Sequence, residues 1–493
     1  MKELFRKQLR KYKLDELLKL ISQLTIDLYL NKRPLDEYYK TIDIGKFSRK
    51  ITFTLSAFEL LTLSYMAIQN SNDHLTSIIP NINNIIELID IQREYEELIR
   101  KQIKNQVISS DITDQILIGH MNEQLWFQDI VKYKELLYRY LRNSILLDII
   151  PKKYNSKLDI ESEFIKHTGV NISTFKNHLF CLHYYLLSKN SIFKYQELID
   201  KFKIVPNSIS EINMSKCLNL FSEKYKYYYS DKNINRLYYK PIVINDTGNY
   251  IISNSFVLAQ KIYDGIYWII RDIYLHKESQ VFMSEFGNYF ESYLDLLLKY
   301  YLTDKSYERI IEDNKNSRAD WKIQTKKFTL IIEQKAVQLK SQLKTKYLDM
   351  HEFDKYLNSF VKSYNQISKT IEDYKLTSDK IIKLTLHYEK IYLSESIVKK
   401  RLFKKLKITE EISNHYYLIG IDEFELLMQV LSENEEIFNK IIEEKISIEK
   451  VKRPYDDTSF KGIIQKFYEI KDIKFLESYY HLYDDVASSI IQV

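Results

Sequence analysis

From the first residue to about residue 150, Leu and Ile recur three and four positions apart among Glu and Lys, as in IIELIDIQREYEELIRKQIKNQV and FQDIVKYKELLYRYLRNSILLDII. That spacing gives each segment one apolar stripe and predicts amphipathic helices. Pro34, Pro80 and Pro151 fall between such segments, so they are expected to mark helix boundaries, with a first domain edge at Pro151. The opening MKELFRKQLRKYKLDELLKL reads as a surface helix, because charges interrupt each apolar stretch and no small-residue cleavage site comes after it. ITFTLSAFELLTLSYMAI has the length of a membrane span but contains Glu59 and several hydroxyls, so a buried core helix is expected there.

The helical pattern continues from 152 to 235, with a Ser or Thr start signal ahead of the apolar stripe in VNISTFKNHLFCLHYYLLS. KPIVIND and NYIISN then form two short β-prone runs joined across Thr247 and Gly248, which predicts a hairpin. The next helical stretch, SFVLAQKIYDGIYWIIRDIYL, is apolar on more than one face and reads as a connector that docks the helical N-terminal half onto the next domain.

The pattern changes character after FMSEFGNYFESYLDLLLKYYL, a long helix by its period. In FTLIIEQKA, strand alternation places Thr329, Ile331, Glu333 and Lys335 on one face and Phe328, Leu330 and Ile332 on the other. Glu333 and Lys335 then project together, about 7 Å apart along the strand. A Glu and a Lys closing an apolar strand are costly to bury unless each is paired or bound. Asp320, in SRADWKI, is expected at the end of the preceding strand and converges on Glu333 if the two strands fold back through the QTKK turn. Two carboxylates facing one site suit Mg²⁺ (or Mn²⁺), a hard cation that takes oxygen ligands. Such an ion neutralises a scissile phosphate and acidifies a bound water, while a lysine beside it orients that water or stabilises developing charge.

Composition narrows the alternatives. At 493 residues the chain is long enough for two to four units. With 45% hydrophobic and 28% charged residues, it should bury sizeable cores. The net charge of +6 permits a nucleic-acid partner without establishing one. Eight glycines, none in a phosphate-loop spacing, argue against a nucleotide-fuelled motor. Two cysteines suit a reducing cytoplasm and give no disulfide framework. The 41 tyrosines, with abundant Ile, Lys and Asn, reflect an AT-rich coding bias rather than a stacking function. His178, Cys181 and His183 supply three zinc-type ligands and no fourth, so helical core packing is expected of them. No Ser/His/Asp arrangement or reactive-cysteine context supports covalent hydrolase chemistry.

An Asp on one strand followed by Glu-x-Lys closing the next, here Asp320 and Glu333-Gln334-Lys335, resembles the signature of the PD-(D/E)xK, or restriction-endonuclease-like, nuclease superfamily. Ala319 stands where the nominal pattern has proline. The resemblance covers about residues 280–430 and implies an αβββαβ core, and the helix, strands, helix HEFDKYLNSFVKSYNQISKTIEDYK and β-prone IIKLTLHYEKIYL keep that order. It further implies that an acidic residue of the first helix joins the metal site. Glu291 is assigned that part ahead of Glu285, with Gly287 letting the helix approach the sheet. Gln366 and Lys369 on the second helix are expected at the surface, and Trp321 is expected to pack under the sheet. Lys322, Lys326 and Lys327, with Lys399, Lys400, Arg401, Lys404 and Lys405 of KKRLFKKLK, are candidate phosphate contacts.

The expectation is therefore an α+β multidomain chain with a largely α-helical N-terminal half, a restriction-endonuclease-like αβββαβ domain and a helical C-terminal tail. The expected units are a helical domain at 1–150, a helical domain with a β-hairpin connector at 151–279, the nuclease-like domain at 280–430 and a helical extension at 431–493. The expected function is a cytoplasmic Mg²⁺-dependent nuclease, with DNA ahead of RNA as substrate and no membrane partner. Its helical half would sense a trigger, a protein partner or a second copy, as in bacterial anti-phage defence nucleases, which this architecture resembles. The alternative is a non-catalytic module that binds nucleic acid or protein on the same fold.

Overall fold

The structure, a computed structural model, describes residues 2–29, 39–44, 47–52, 55–71, 78–106, 133–154, 156–187, 192–202, 211–229, 235–275, 279–303, 305–311, 317–336, 338, 350–376, 380–389, 395–409, 415–451, 459–469 and 472–482. The expected α+β class holds: helices dominate the described residues, and strands form sheets of two, four and five members. Pro34, and residues 127–132 of one expected helix, lie outside the described residues.

The opening segment is two helices, Lys2–Leu9 and Leu14–Tyr29, rather than one surface helix. Phe5, Leu9, Leu14, Leu17, Leu18 and Ile21 are all buried, because apolar positions at three-and-four spacing share one face while the intervening charges turn outward. Ala57–Asn70 is the expected core helix. Glu59 starts it: the Ser56 hydroxyl accepts from the Glu59 N–H at 3.1 Å, and the Glu59 carboxylate accepts from the Ser56 N–H at 3.0 Å.

Pro151 does not end a helix. Tyr133–Ser144 runs through one π-helical turn, Ile145–Ile149, into Ile150–Lys153. The wider turn lets the Ile150 N–H reach the Ile145 carbonyl, and the proline enters the first turn of the next α segment, where its missing N–H costs little. The hairpin across Thr247 and Gly248 is present as Ile242–Ile244 paired antiparallel with Tyr250–Ile252, and Gly248 takes φ 80° in its turn. Helix Ser255–Leu275 packs against Tyr133–Ser144, Leu14–Tyr29 and Ile172–Leu187, which accounts for its apolar positions on several faces. His178 and Cys181 are buried within the last of these helices; the His178 ring pairs with the Thr174 carbonyl at 2.6 Å.

The five-stranded sheet carries the candidate chemistry. In chain order its elements are helix α1 (Ser279–Tyr301), strands β1 (Tyr307–Arg309), β2 (Trp321–Gln324) and β3 (Thr329–Lys335), and helix α2 (Met350–Asp373). Next come β4 (Ile381–His387), α3 (Glu395–Leu406), β5 (Tyr416–Gly420) and α4 (Ile421–Glu433). The strand order is β5-β4-β3-β2-β1. The first three strands form an antiparallel meander, while β4 and β5 run parallel to β3, a direction that requires the crossovers supplied by α2 and α3.

Both faces of β3 are buried, against different partners. Leu330 and Ile332 join the main apolar cluster, together with Phe286, Phe290 and Leu294 of α1 and Phe424 and Leu427 of α4. Ile331 joins a second cluster under α2 and α3, with Phe353, Leu357, Phe360 and Leu402. Strand alternation therefore sends Glu333 to the α2 side. Gly287 is not needed for a close approach of α1 to the sheet, since a Cβ added there would meet nothing within 4 Å.

One buried ion pair ties the helical half to this sheet. Arg142, from the helix at 133–144, donates through Nε and Nη2 to the two oxygens of Glu425 on α4 at 2.8 and 2.6 Å, and the Tyr293 hydroxyl of α1 donates to the same carboxylate. Glu425 is fully buried, so this bidentate arrangement supplies the pairing that a charge needs away from water. Arg142→Met is expected to destabilise the protein by about 3–5 kcal/mol in urea unfolding, and adding Glu425→Leu should recover much of that loss. A single variant within about 1 kcal/mol of the parent would mean that the pair does not fix the junction.

Candidate active site

Asp320 stands immediately before β2, at the beginning of that strand and not at the end expected from the sequence. Hairpin register still brings it to Glu333: Trp321 pairs with Ile332, and the Asp320 N–H donates to the Ile332 carbonyl at 3.0 Å. Asp320 Oδ2 also accepts from the Gln334 N–H at 2.7 Å, satisfying a β3 amide beyond the last residue paired with β2. One carboxylate oxygen is thus fixed by the backbone.

Glu333 lies in the interior of β3 and is only 2% exposed. Lys335, two residues on and on the same face, donates to Glu333 Oε1 and, at 2.9 Å, to Gln366 Oε1 of α2. Gln366 in turn donates to the Arg318 carbonyl at 3.1 Å, bracing the lysine from the segment that leads into Asp320. Among the described residues no donor reaches Glu333 Oε2, which is buried; the group against Glu333 is the Asp320 carboxyl, an acceptor like itself. Two acceptors in contact must share a proton or be bridged by a cation.

The electrostatics reflect that arrangement. Burial pushes the Asp320 carboxyl up to about 6, against the opposing pull of the Gln334 N–H and Lys335, and with a further upward contribution from Glu291. Asp320 keeps partial solvent access, but protein atoms crowd it on most sides. Burial, then the Asp320 charge, raises Glu333 well above the ordinary carboxylate range, and Lys335 only partly offsets them. Burial combined with a like-charged neighbour is one of the arrangements by which enzyme sites shift carboxyl pKa values, and structural ion-pair networks shift them too.

Glu291 is not assembled with the pair. It projects from α1 near enough to act on Asp320, but its carboxylate is bound to Arg309 at the end of β1. Among the described residues no three His, Cys, Asp or Glu side chains come together in a group that could hold a metal ion. The donor set present is therefore two hard oxygen ligands, Asp320 and Glu333. That number suits Mg²⁺, which commonly takes one or two protein carboxylates and fills its shell with water and phosphate oxygens. Glu285 is occupied elsewhere, accepting from the Lys157 N–H at 3.2 Å and from Asn288 Nδ2 at 3.2 Å.

The other expected residues divide. Gln366 belongs to the site and is not a surface residue, because Lys335 needs a second acceptor; Lys369 points away and pairs with Asp373 at 3.0 Å. Trp321 is 1% exposed and packs as expected. Lys399 is removed from the set of phosphate contacts: its ammonium is held by Glu395 at 3.3 Å and Glu449 at 3.2 Å, and only 11% of the side chain is exposed. Lys322 pairs with Glu308, Lys327 with Glu443 and Lys405 with Asp354, while Lys326 is 91% exposed across from Glu435. Lys400 and Lys404 are exposed along α3 and Arg401 is half-buried there. Arg309 and His387 are additions to the expected set. His387 is fully buried on β4 in register with Lys335, with no hydrogen-bond partner for either ring nitrogen among the described residues and its pKa lowered to about 3 by burial and the neighbouring lysine. No sequence signal marks either one.

Comparison with family models, with curated proteins and with solved structures finds no match to this chain. The helices described include none long and apolar enough to cross a membrane.

The carboxyl pair gives a pH signature with a definite sign. A carboxyl whose folded pKa is raised binds its proton more tightly in the folded state, so its stabilising effect is full below the unfolded value of 3.8. It is lost as pH rises through about 6 for Asp320, and at higher pH for Glu333. Asp320→Asn keeps the acceptor for Gln334 and removes the clash of charge. It is expected to melt above the parent near pH 8 (roughly the upper end of the titration) and to lose that advantage by about pH 5. A variant that melts below the parent throughout would show that the two carboxylates do not oppose one another.

Proposed function

We propose that this chain is a metal-dependent nuclease that hydrolyses phosphodiester bonds, with DNA ahead of RNA as substrate. The observation that carries the reading is the buried contact between Asp320 and Glu333, with one Glu333 oxygen lacking any donor among the described residues and Lys335 held beside it. A carboxylate pair so placed destabilises an apo fold and makes sense as a cation cage. The order of α1, the β1–β3 meander, α2 and parallel β4 supports the restriction-endonuclease-like domain that the Asp and Glu-x-Lys spacing resembles.

Asp320 and Glu333 would hold the cation, Mg²⁺ or Mn²⁺, which when bound supplies charge neutralisation at the phosphate and a more acidic water. The backbone bond from Gln334 fixes the Asp320 carboxylate, so one ligand is already oriented. Lys335 is positioned by Glu333 and Gln366, and its ammonium is the group that would orient the attacking water or meet developing negative charge. The helical half, joined to the sheet through Arg142 and Glu425, is the part proposed to meet a trigger or partner.

Purified protein incubated with plasmid, linear DNA and RNA in Mg²⁺ or Mn²⁺ is expected to cut, and Asp320→Ala, Glu333→Ala and Lys335→Ala should each lower the rate by about a hundredfold or more. Cleavage that survives Asp320→Ala and Glu333→Ala would exclude this site. Uptake of Mn²⁺ without any cleavage would favour a binding module instead.

A further inference from the structure

His387 is a buried polar group that the proposed mechanism leaves unused. It closes β4 directly opposite Lys335 of β3, and the same parallel ladder sets Thr385 opposite Glu333. Register partners in neighbouring parallel strands send their side chains to one face of the sheet. That face is the one under α2: the His387 ring meets Phe360 edge to face with ring centres 4.5 Å apart, Thr385 bonds to Ser363 at 2.6 Å, and Lys335 reaches Gln366. Neighbouring strands lie only about 4.8 Å apart, within the span of a lysine side chain. The Tyr388 N–H donates to the Lys335 carbonyl at 3.2 Å, which holds the two strand ends together.

The two side chains have complementary needs. The imidazole is fully buried, and neither ring nitrogen has a hydrogen-bond partner among the described residues. Burial, with the neighbouring ammonium, lowers its pKa to about 3 and keeps it neutral, so one nitrogen carries a proton and the other is a bare acceptor. An acceptor left dry in this way costs stability. Lys335 has three N–H donors, and two of them go to Glu333 Oε1 and Gln366 Oε1. Its bond to Glu333 is the one that a divalent cation contests, since the carboxylate's lone pairs are what such an ion takes and an ammonium is repelled by it. Lys335 would then keep Gln366 alone, and one contact does not fix an ammonium on a flexible four-carbon stem. His387 offers the replacement from the adjacent strand, on the same face.

We propose that His387 is a positioning residue, which accepts the Lys335 ammonium when Glu333 turns its oxygens to the cation. This rests on the nuclease reading and deepens it. Held by Gln366 and His387, Lys335 keeps one N–H for the attacking water or a phosphate oxygen, and its aim survives the loss of its first partner. His387 is enclosed and acts only through Lys335. A histidine that merely packs on Phe360 would be replaced without loss by phenylalanine.

Nitrogen-15 NMR of the full chain labelled at histidine tests this, the His387 signals being those that vanish in His387→Phe. Without metal, the bare ring nitrogen of the parent is expected at the position of an unbonded acceptor, and saturating Mg²⁺ should move it to that of a bonded one. Glu333→Ala should move it without any Mg²⁺, because Lys335 has already lost its first partner there. In cleavage assays His387→Phe should lower kcat by about tenfold and leave KM unchanged, yet melt no lower than the parent, since only an unsatisfied polar group is removed. Asn places an oxygen near the site of Nδ1 and Gln near that of Nε2, so His387→Asn or His387→Gln should recover most of the rate. If His387→Phe cuts like the parent while Glu333→Ala is inactive, the catalytic site stands and the role given to His387 is wrong. If Glu333→Ala leaves the His387 signal unmoved, the transfer is wrong whether or not the protein cuts. A signal that moves in Glu333→Ala but not in the parent with Mg²⁺, in a protein that does not cut, overturns the nuclease reading and the proposal with it.

Discussion

Two carboxylates are pressed together beside the central strand of the five-stranded sheet with one ammonium to balance them, and the account of the second half of the chain turns on that imbalance. Asp320 cannot move away, because its backbone is in the ladder with Ile332 and its side chain holds the Gln334 amide. Glu333 cannot turn to water, because α2 covers its face of β3. Lys335 is shared between Glu333 and Gln366 and so neutralises only part of the charge. A fold selected for stability alone would place apolar side chains here, at least as stable as an imperfectly balanced charge cluster. That imbalance is the physical ground for the proposed cation site.

The rest of the molecule holds the strained element in place. The main apolar cluster runs from Phe5 in the first helix to Leu476 near the end of the described chain, and it includes the α1 side of β3. Arg142 and Glu425 fix the junction electrostatically, with Tyr293 of α1 donating to the same carboxylate. Tyr388, just after β4, bonds to Asn143 on the Arg142 helix, adding a second polar tie. Because α1 takes part in this junction and also carries Glu291, a shift of the helical half would be felt at the acidic site through one rigid helix.

Much of the sheet was legible because strand alternation is a local property. Glu333 and Lys335 share a face from their spacing alone, and Asp320 meets them through a hairpin whose turn, Thr325 to Phe328, lies in the sequence between them. What escaped depends on residues far apart in the chain or on a choice between partners. Gln366 reads as an ordinary polar helix position, and only the placement of α2 over β3 makes it the second acceptor for Lys335. Glu291 is marked by its helix position, but nothing local says that Arg309 would claim its carboxylate. Arg142 and Glu425 are separated by 283 positions, and a charge at each reads equally well as surface. Pro151 misled because a π-helical turn, which has no sequence signature, absorbs it within a continuous helical run. The lysines of KKRLFKKLK misled in part because a basic run has the same pattern whether it meets phosphate or, as Lys399 does, half-buried glutamates.

The most direct measurement is crystallographic: anomalous scattering from crystals of the full chain grown with Mn²⁺ near neutral pH. The expected result is one strong anomalous peak touching a carboxylate oxygen of Asp320 and Oε2 of Glu333, with Lys335 beside it. A map with no peak there, and with Glu333 Oε2 instead satisfied by a donor from the protein, would contradict the central claim.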